Sequence, residues 1–346
     1  MKPRQTSAIG MKMTSSARLS MLLGAIALAL IGSIAGCQHQ GQSRDMRSAL
    51  PLEAKRQAPD KPTTVLAVYE AWFGDPDHIK IGYSTQDIVV LQKQMEQAKH
   101  MGISGFVVDW YGPKKEFIDK SYGHIEQVAS KEDFKVALMY DEMLDDPSRM
   151  TESAISNLDY AYEKYIGPES PWHRSYLTYN GRPVIFIWPK GGKTDWPRVR
   201  EHLQGWATPP LLIYKDEASP YAARFDGYYA WIHPGQQGWS KDGSNWGQQY
   251  LDDFYLRMTT QHPDKIIVGT AWPGFNDSLA SWSESRYMDR RCGKTFEETL
   301  KLYRRYYGPE HPLPFLLIAT WNDHEEGTAI EQGFAAGPDP NNTSKC

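Results

Sequence analysis

Short runs rich in β-branched and aromatic residues recur along the chain, separated by longer stretches in which apolar positions repeat every three or four residues. That alternation predicts βα units and parallel strands. Eight runs qualify: 65–72, 104–110, 135–142, 183–188, 210–215, 227–232, 265–272 and 314–321. Several are almost continuously apolar, as strands buried on both faces must be. After the first run, Ser84 or Thr85 is placed to cap a helix carrying Ile88, Leu91, Met95, Ala98 and Met101 on one stripe and ending at Gly102. Thr295 opens another, with Phe296, Leu300, Tyr303 and Tyr307 facing the sheet and Gly308-Pro309 stopping it. No Gly-rich phosphate loop follows the first run, so a closed barrel is favoured over an open doubly wound sheet. The expected fold is α/β, a single (β/α)8 TIM barrel. Its final helix is short or missing, because only residues 322–346 follow the eighth run.

The ends of the chain are of another kind. Residues 1–37 combine a basic leader (Lys2, Arg4, Lys12, Arg18), an apolar run at 21–34 and Ile34-Ala35-Gly36-Cys37. The run is shorter than the roughly 20 residues a bilayer span needs, and the pattern reads as an export signal. Ile34 to Cys37 resembles a bacterial lipobox, which implies acylation of Cys37 and a protein exported and lipid-anchored to a bacterial membrane, at the outer membrane or cell surface. An uncleaved anchor is the alternative. Residues 38–62, polar and Pro-containing, read as a flexible linker, 63–335 as the barrel and 336–346 as a polar tail.

Composition narrows the partners. A net charge of −4, without basic clusters beyond the leader, excludes a nucleic-acid partner. Apart from Cys37, Cys292 and Cys346 are far apart and form no CxxC, so no structural zinc site is written into the chain; whether they pair is left open. No cofactor is implied. With 12 Trp and 20 Tyr the chain is rich in flat rings that stack on sugars as readily as they fill cores.

Barrel enzymes work at the C-terminal ends of their strands, and here those ends are polar and aromatic. They read Glu70-Ala71-Trp72, Asp109-Trp110-Tyr111, Tyr140-Asp141-Glu142, Trp188, Lys215-Asp216-Glu217, Trp231-Ile232-His233, Trp272, and Trp321-Asn322-Asp323 with Glu326. Carboxylates and indoles converging on one rim are what glycoside hydrolysis requires: a proton donor, a second carboxylate and surfaces to hold the sugar. Side chains alternate along a strand, so Asp141 and Glu142 cannot both reach a substrate, and Asp141 is favoured. Asp323 and Glu326, three residues apart, share a face if the chain turns helically, and Glu325 then points elsewhere. Candidate substrate contacts are Trp72, Trp110, Trp188, Trp272, Trp321 and Asn322, with Tyr111, Tyr140 and His233 as hydrogen-bonding groups. Trp239, in the Gly-, Gln- and Ser-rich loop 234–249, is a further candidate.

WNDHEEGT at 321–328, VVDWYGP at 107–113, PGFND at 273–277 and Arg-Cys-Gly-Lys-Thr at 291–295 together resemble the family 71 and family 99 glycoside hydrolases. The similarity runs over essentially the whole barrel. Family 99 comprises endo-acting α-mannosidases and mannanases with Asn-Glu-x-x-Glu-Gly-Thr at the last strand's end. Matching Asn, Gly and Thr places the two catalytic roles on Asp323 and Glu326. The resemblance implies that Asp323, as base, takes the proton of the sugar 2-hydroxyl, which closes a 1,2-anhydro sugar, while Glu326 serves as general acid and then general base. Asp323 is one methylene shorter than the family 99 residue, and Thr-Trp-Asn-Asp is closer to the family 71 α-1,3-glucanases.

The expected function is therefore a glycoside hydrolase cleaving α-linked oligo- or polysaccharide outside the cytoplasm, with Asp323, Glu326 and Asp141 at the reacting centre. The alternative is a non-catalytic glycan-binding lipoprotein on the same barrel. A metal-dependent hydrolase is weaker still, since no HxH stands at a strand end.

Overall fold

A computed structural model describes residues 62–142, 148–190, 193–216 and 224–332. The expected signal with Cys37, almost all of the linker, the tail and Cys346 lie outside the described residues, as does Glu217. The eight expected strands all form: β1 (Thr64–Glu70), β2 (Gly105–Trp110), β3 (Lys135–Asp141), β4 (Arg182–Trp188), β5 (Leu211–Lys215), β6 (Gly227–Tyr229), β7 (Ile266–Ala271) and β8 (Phe315–Ile318). They pair in parallel in chain order, and β8 pairs β1 to close a (β/α)8 TIM barrel. β2 and β8 are buried along their whole length, as strands between a packed interior and a helix layer must be.

Six α-helices are described: α1 (Ile88–His100), α2 (Glu116–Glu132), α3 (Met150–Ala161), α4 (Trp196–Leu203), α5 (Gln248–Gln261) and α6 (Lys294–Tyr306). The cap of α1 is Asp87, not Ser84 or Thr85; its carboxylate accepts the N–H groups of Val89 and Val90. Thr85 is buried, and its hydroxyl donates instead to the Ala71 carbonyl at 2.7 Å, anchoring the loop before the helix. Met101, expected on the apolar stripe, lies past the helix end and is exposed. The buried face of α6 is Thr295, Thr299, Leu302 and Tyr303, with Phe296 and Leu300 at its margin.

Two connections depart from strict alternation. No α-helix occurs among the described residues between β5 and β6, nor after β8 as far as residue 332. The short-or-missing final helix was expected, and the polar segment after β8 supplies the cover. Tyr83, Gln94 of α1 and His324 all bond the carboxylate of Glu331, at 2.6, 2.7 and 2.6 Å, which pins that segment against α1. Cys292, just before α6, is in a disulfide.

Candidate active site

A cavity of about 890 Å³ opens at the C-terminal ends of the strands, the face where barrel enzymes carry their chemistry. Its walls follow from strand parity. Side chains two apart share a face, so Val68, Glu70 and Trp72 line it from β1 and the residues just beyond, Asp109 and Tyr111 from β2, and Met139 and Asp141 from β3. The register is consistent across strands, with Glu70 beside Asp109, Asp109 beside Met139, and Asp141 beside Trp188.

The segment after β8 is a self-bonded loop. Asp323 Oδ1 accepts the N–H groups of Glu325 and Glu326 at 3.0 and 2.8 Å, which turns the chain so that Asp323 and Glu326 both face the cavity. Asn322 is not in contact with the cavity. Its side-chain amide grips the backbone of Glu70 from both sides, accepting from N at 2.8 Å and donating to O at 3.0 Å. Gly327 has φ +61°, and a Cβ there would meet Asn276 at 3.1 Å, so a side chain would be strained in its backbone and tight against its neighbour. The Thr328 hydroxyl pairs with that of Thr320 at 2.9 Å. Glu325 turns away, bonding His78 Nδ1 at 2.8 Å and the Ile79 N–H at 3.1 Å. His78 in turn stacks on Trp72, with ring centroids 4.8 Å apart.

Five cavity carboxylates, Glu70, Asp109, Asp141, Asp323 and Glu326, are gathered out of water and raise one another's proton affinity. Burial pushes Glu70 well up, with Asp109 and Asp323 adding repulsion. Burial also raises Asp109, to about 6, against the opposing pull of Lys190 and Tyr111. Asp141 is raised by burial and by Asp109, although Lys190 Nζ lies 2.8 Å from its Oδ1. Asp323 is raised by burial and by Glu326, while its two backbone N–H donors favour the ionised form. Glu326 is raised by burial; Trp282, whose Nε1 donates to Oε1 at 3.1 Å, and Arg286, 3.8 Å away, pull it back.

Of the residues singled out in the sequence, Asp323, Glu326, Asp141, Trp72, Tyr111 and Trp188 stand on the cavity. Trp110, Tyr140, Trp272 and Trp321 do not: parity turns Trp110 and Tyr140 outward beside Asp109 and Asp141, and Trp272 and Trp321 are fully buried in the barrel wall. The Trp110 Nε1 donates to Asp119 of α2 at 3.1 Å, Tyr140 accepts from Asn157 of α3 at 3.3 Å, Trp272 donates to the Trp246 carbonyl at 3.1 Å, and Trp321 packs on Phe106. His233 lies outside the cavity lining, its Nδ1 accepting the Gly235 N–H, and Trp239 packs on Phe275 behind Arg286. Glu142, as parity predicts, faces outward, where Trp196 and the Lys190 N–H bond it.

The cavity also holds groups the sequence did not mark, Lys190, Trp282 and Arg286, along with Glu70, Asp109 and Trp231, which had been noted at strand ends but given no role. The Glu-x-Trp of residues 70–72 and the Asp-x-Tyr of 109–111 carried the missing signal, since each places two polar or aromatic groups on one face. Trp282 and Arg286 arrive on the long β7–α6 excursion, which a two-stranded hairpin of Phe275–Asn276 and Tyr287–Met288 holds in place. Among the described residues, no group of three or more His, Cys, Asp or Glu is disposed to hold a metal ion.

No family model matches the chain. In sequence it is 22% identical over 272 residues to the glycoprotein endo-alpha-1,2-mannosidase of Mus musculus, covering 72% of this chain and 55% of that protein. The Rattus norvegicus protein of the same name is 22% identical over 273 residues with the same coverage. The chain thus spans about half the length of the curated relatives it matches. Among solved structures, the GH99 endo-alpha-mannosidase from Bacteroides thetaiotaomicron superposes with a TM-score of 0.60 at 17% identity, over 77% of this chain and 87% of that one. At that identity the superposition establishes the barrel fold. In both sequence and fold the chain is similar to GH99 endo-α-mannosidases, in keeping with the resemblance carried by WNDHEEGT.

Proposed function

We propose that this protein is a glycoside hydrolase of α-linked glycans in which Asp323 is the base and Glu326 the acid. The observation that carries the reading is the turn at 323–326, which sets both carboxylates on one cavity at the barrel mouth while Glu325 is turned out. Glu326 gives its proton to the leaving glycosidic oxygen as the C1–O bond breaks. Asp323 takes the proton of the attacking group, a water or the sugar's own 2-hydroxyl, as the new C1–O bond forms. Burial raises both carboxyls, Asp323 the more strongly in spite of its two backbone N–H donors, so the two roles are assigned from the matched motif positions and not from proton affinity. Asp141, paired with Lys190, shapes the opposite wall. The names of the relatives favour an α-linkage. The basic leader, the apolar run and the lipobox-like Cys37 support action outside the cytoplasm on a lipid tether.

The test is a panel of α-mannans, α-glucans and α-linked polysaccharides carrying free amino sugars, with NMR of the product anomer giving linkage and stereochemistry together. The wild-type protein is expected to release reducing ends, and Glu326→Gln to slow that release by roughly a hundredfold or more. Wild-type turnover by Glu326→Gln sinks the assignment of the acid. A protein that cleaves no α-glycan in the panel sinks the enzyme reading and leaves glycan binding.

A further inference from the structure

Glu70 and Asp109 are register partners on β1 and β2, are 4% and 7% exposed, and both line the cavity. Asp109 Oδ2 accepts from Tyr111 at 2.8 Å, but Asp109 Oδ1 and Glu70 Oε2 are buried without a hydrogen-bond partner. So is the indole Nε1 of Trp72, which is 5% exposed and follows Glu70 by two residues on the same face. An unsatisfied buried polar group costs roughly 1–3 kcal/mol, and like charges opposite each other on neighbouring strands add to that cost. A wall that keeps two such acceptors and one such donor side by side is arranged for a ligand that supplies donors to the oxygens and an acceptor to the indole.

Charge selects the ligand's class. The five inner carboxylates face Lys190, Arg286 and Lys215, and all three cations are already engaged, Lys190 with Asp141 at 2.8 Å, Arg286 with Asp277 at 2.7 Å and Lys215 over the Trp188 ring at 3.5 Å. At the rim, Asp75, Asp77 and Glu284 outnumber Lys115. A uronic acid or sulfated sugar would enter against this field. A neutral sugar would satisfy the hydrogen bonds but would not offset the mutual repulsion that raises the proton affinity of these carboxyls, which a cation does. A primary ammonium brings a positive charge and three donors. Neighbouring strands lie about 4.8 Å apart, so one nitrogen seated between the two carboxylates reaches an oxygen of each.

We propose that Glu70, Asp109 and Trp72 form a subsite for a sugar carrying a free amine, so that the glycan this protein acts on contains unacetylated 2-amino-2-deoxyhexose. The inference rests on the hydrolase reading and narrows its substrate. The ammonium bridges Glu70 and Asp109, and the Trp72 N–H donates to an oxygen of the same sugar. N-acetylation removes the charge and two of the three donors and adds bulk, so the acetylated sugar is discriminated against.

Binding to the full chain, read by saturation-transfer NMR competition, tests this without turnover. The probes are the methyl α-glycosides of glucosamine, galactosamine and mannosamine, each compared with its N-acetyl form and its parent hexose. At least one amine is expected to bind about tenfold tighter than both of its counterparts. Glu70→Gln and Asp109→Asn are each expected to bring the ratio of amine to parent-hexose affinity down to about one. Both substitutions are isosteric and remove a titratable carboxyl, and a thermal melt verifies folding. Equal binding of amine, acetamide and hydroxyl forms overturns the proposal, as does a preference that survives both substitutions. Cleavage of neutral α-mannan by a protein without amine preference keeps the hydrolase and loses the subsite. Amine preference in a protein that cleaves nothing keeps the subsite and loses the hydrolase.

Discussion

The backbone N–H of Glu326 donates to Oδ1 of Asp323 at 2.8 Å, so one carboxylate builds the turn that presents the other. In the proposed mechanism Asp323 is thereby both the base and the brace for its partner. Asp323→Asn keeps an acceptor at Oδ1 and is expected to fold normally while losing at least roughly a hundredfold in activity. Asp323→Glu restores the residue type of family 99 yet moves the acceptor by about 1 Å, and is expected to lose activity as well. Steady-state kinetics on the best substrate of the panel decides; a gain with Glu would show that the brace is dispensable.

Trp282 offers a handle on the proposed acid. Its indole N–H stabilises the ionised form of Glu326, so removing that donor must raise the carboxyl's proton affinity. In Trp282→Phe the alkaline limb of the kcat profile is expected to move to higher pH, because Glu326 holds its proton longer. A limb that stays or moves down contradicts the assignment of Glu326 as acid.

Asn322 is a structural clamp in this arrangement. Alanine at 322 leaves both the N–H and the carbonyl of Glu70 without partners in a site closed to water. A loss of roughly 2–4 kcal/mol in chemical denaturation is expected. Substrate affinity in the folded fraction should change far less, and the reverse pattern would make Asn322 a binding residue.

Glu126 of α2 is fully buried, with Ser175 and Tyr122 donating to it, and burial lifts its pKa from 4.5 to about 8. The folded protein therefore holds a proton that the unfolded chain releases between those values, so stability falls as pH rises through that window and levels off above it. Glu126→Gln is expected to flatten that slope and to be the more stable protein at the alkaline end. Urea titrations across the window read it directly, and parallel slopes for the two proteins would refute the buried proton.

Much of this molecule could be read in one dimension. The eight strands, and the parity that turns Asp141 inward and Glu142 outward, follow from alternation along a pleated strand, which is a local property of the chain. The turn pairing Asp323 with Glu326 is equally local, since its hydrogen bonds span two and three residues. The same alternation was not carried through at Trp110 and Tyr140, whose neighbours Asp109 and Asp141 already hold the inner face.

Other features were decided only in three dimensions. Ser84, Thr85 and Asp87 all have capping side chains, and the choice fell to Asp87 once the Thr85 hydroxyl was taken by Ala71. Glu70 meets Asp109 through strand register, which depends on how the whole sheet closes and leaves no mark in either strand alone. Trp282 and Arg286 reach the cavity on a loop whose course is set by a hairpin and by contacts distant in sequence. Sequence by itself therefore determined the barrel and the carboxylate pair, because both repeat or turn over a few residues. The tertiary structure decided which charges share the cavity, because proximity across strands and loops is a property of closure.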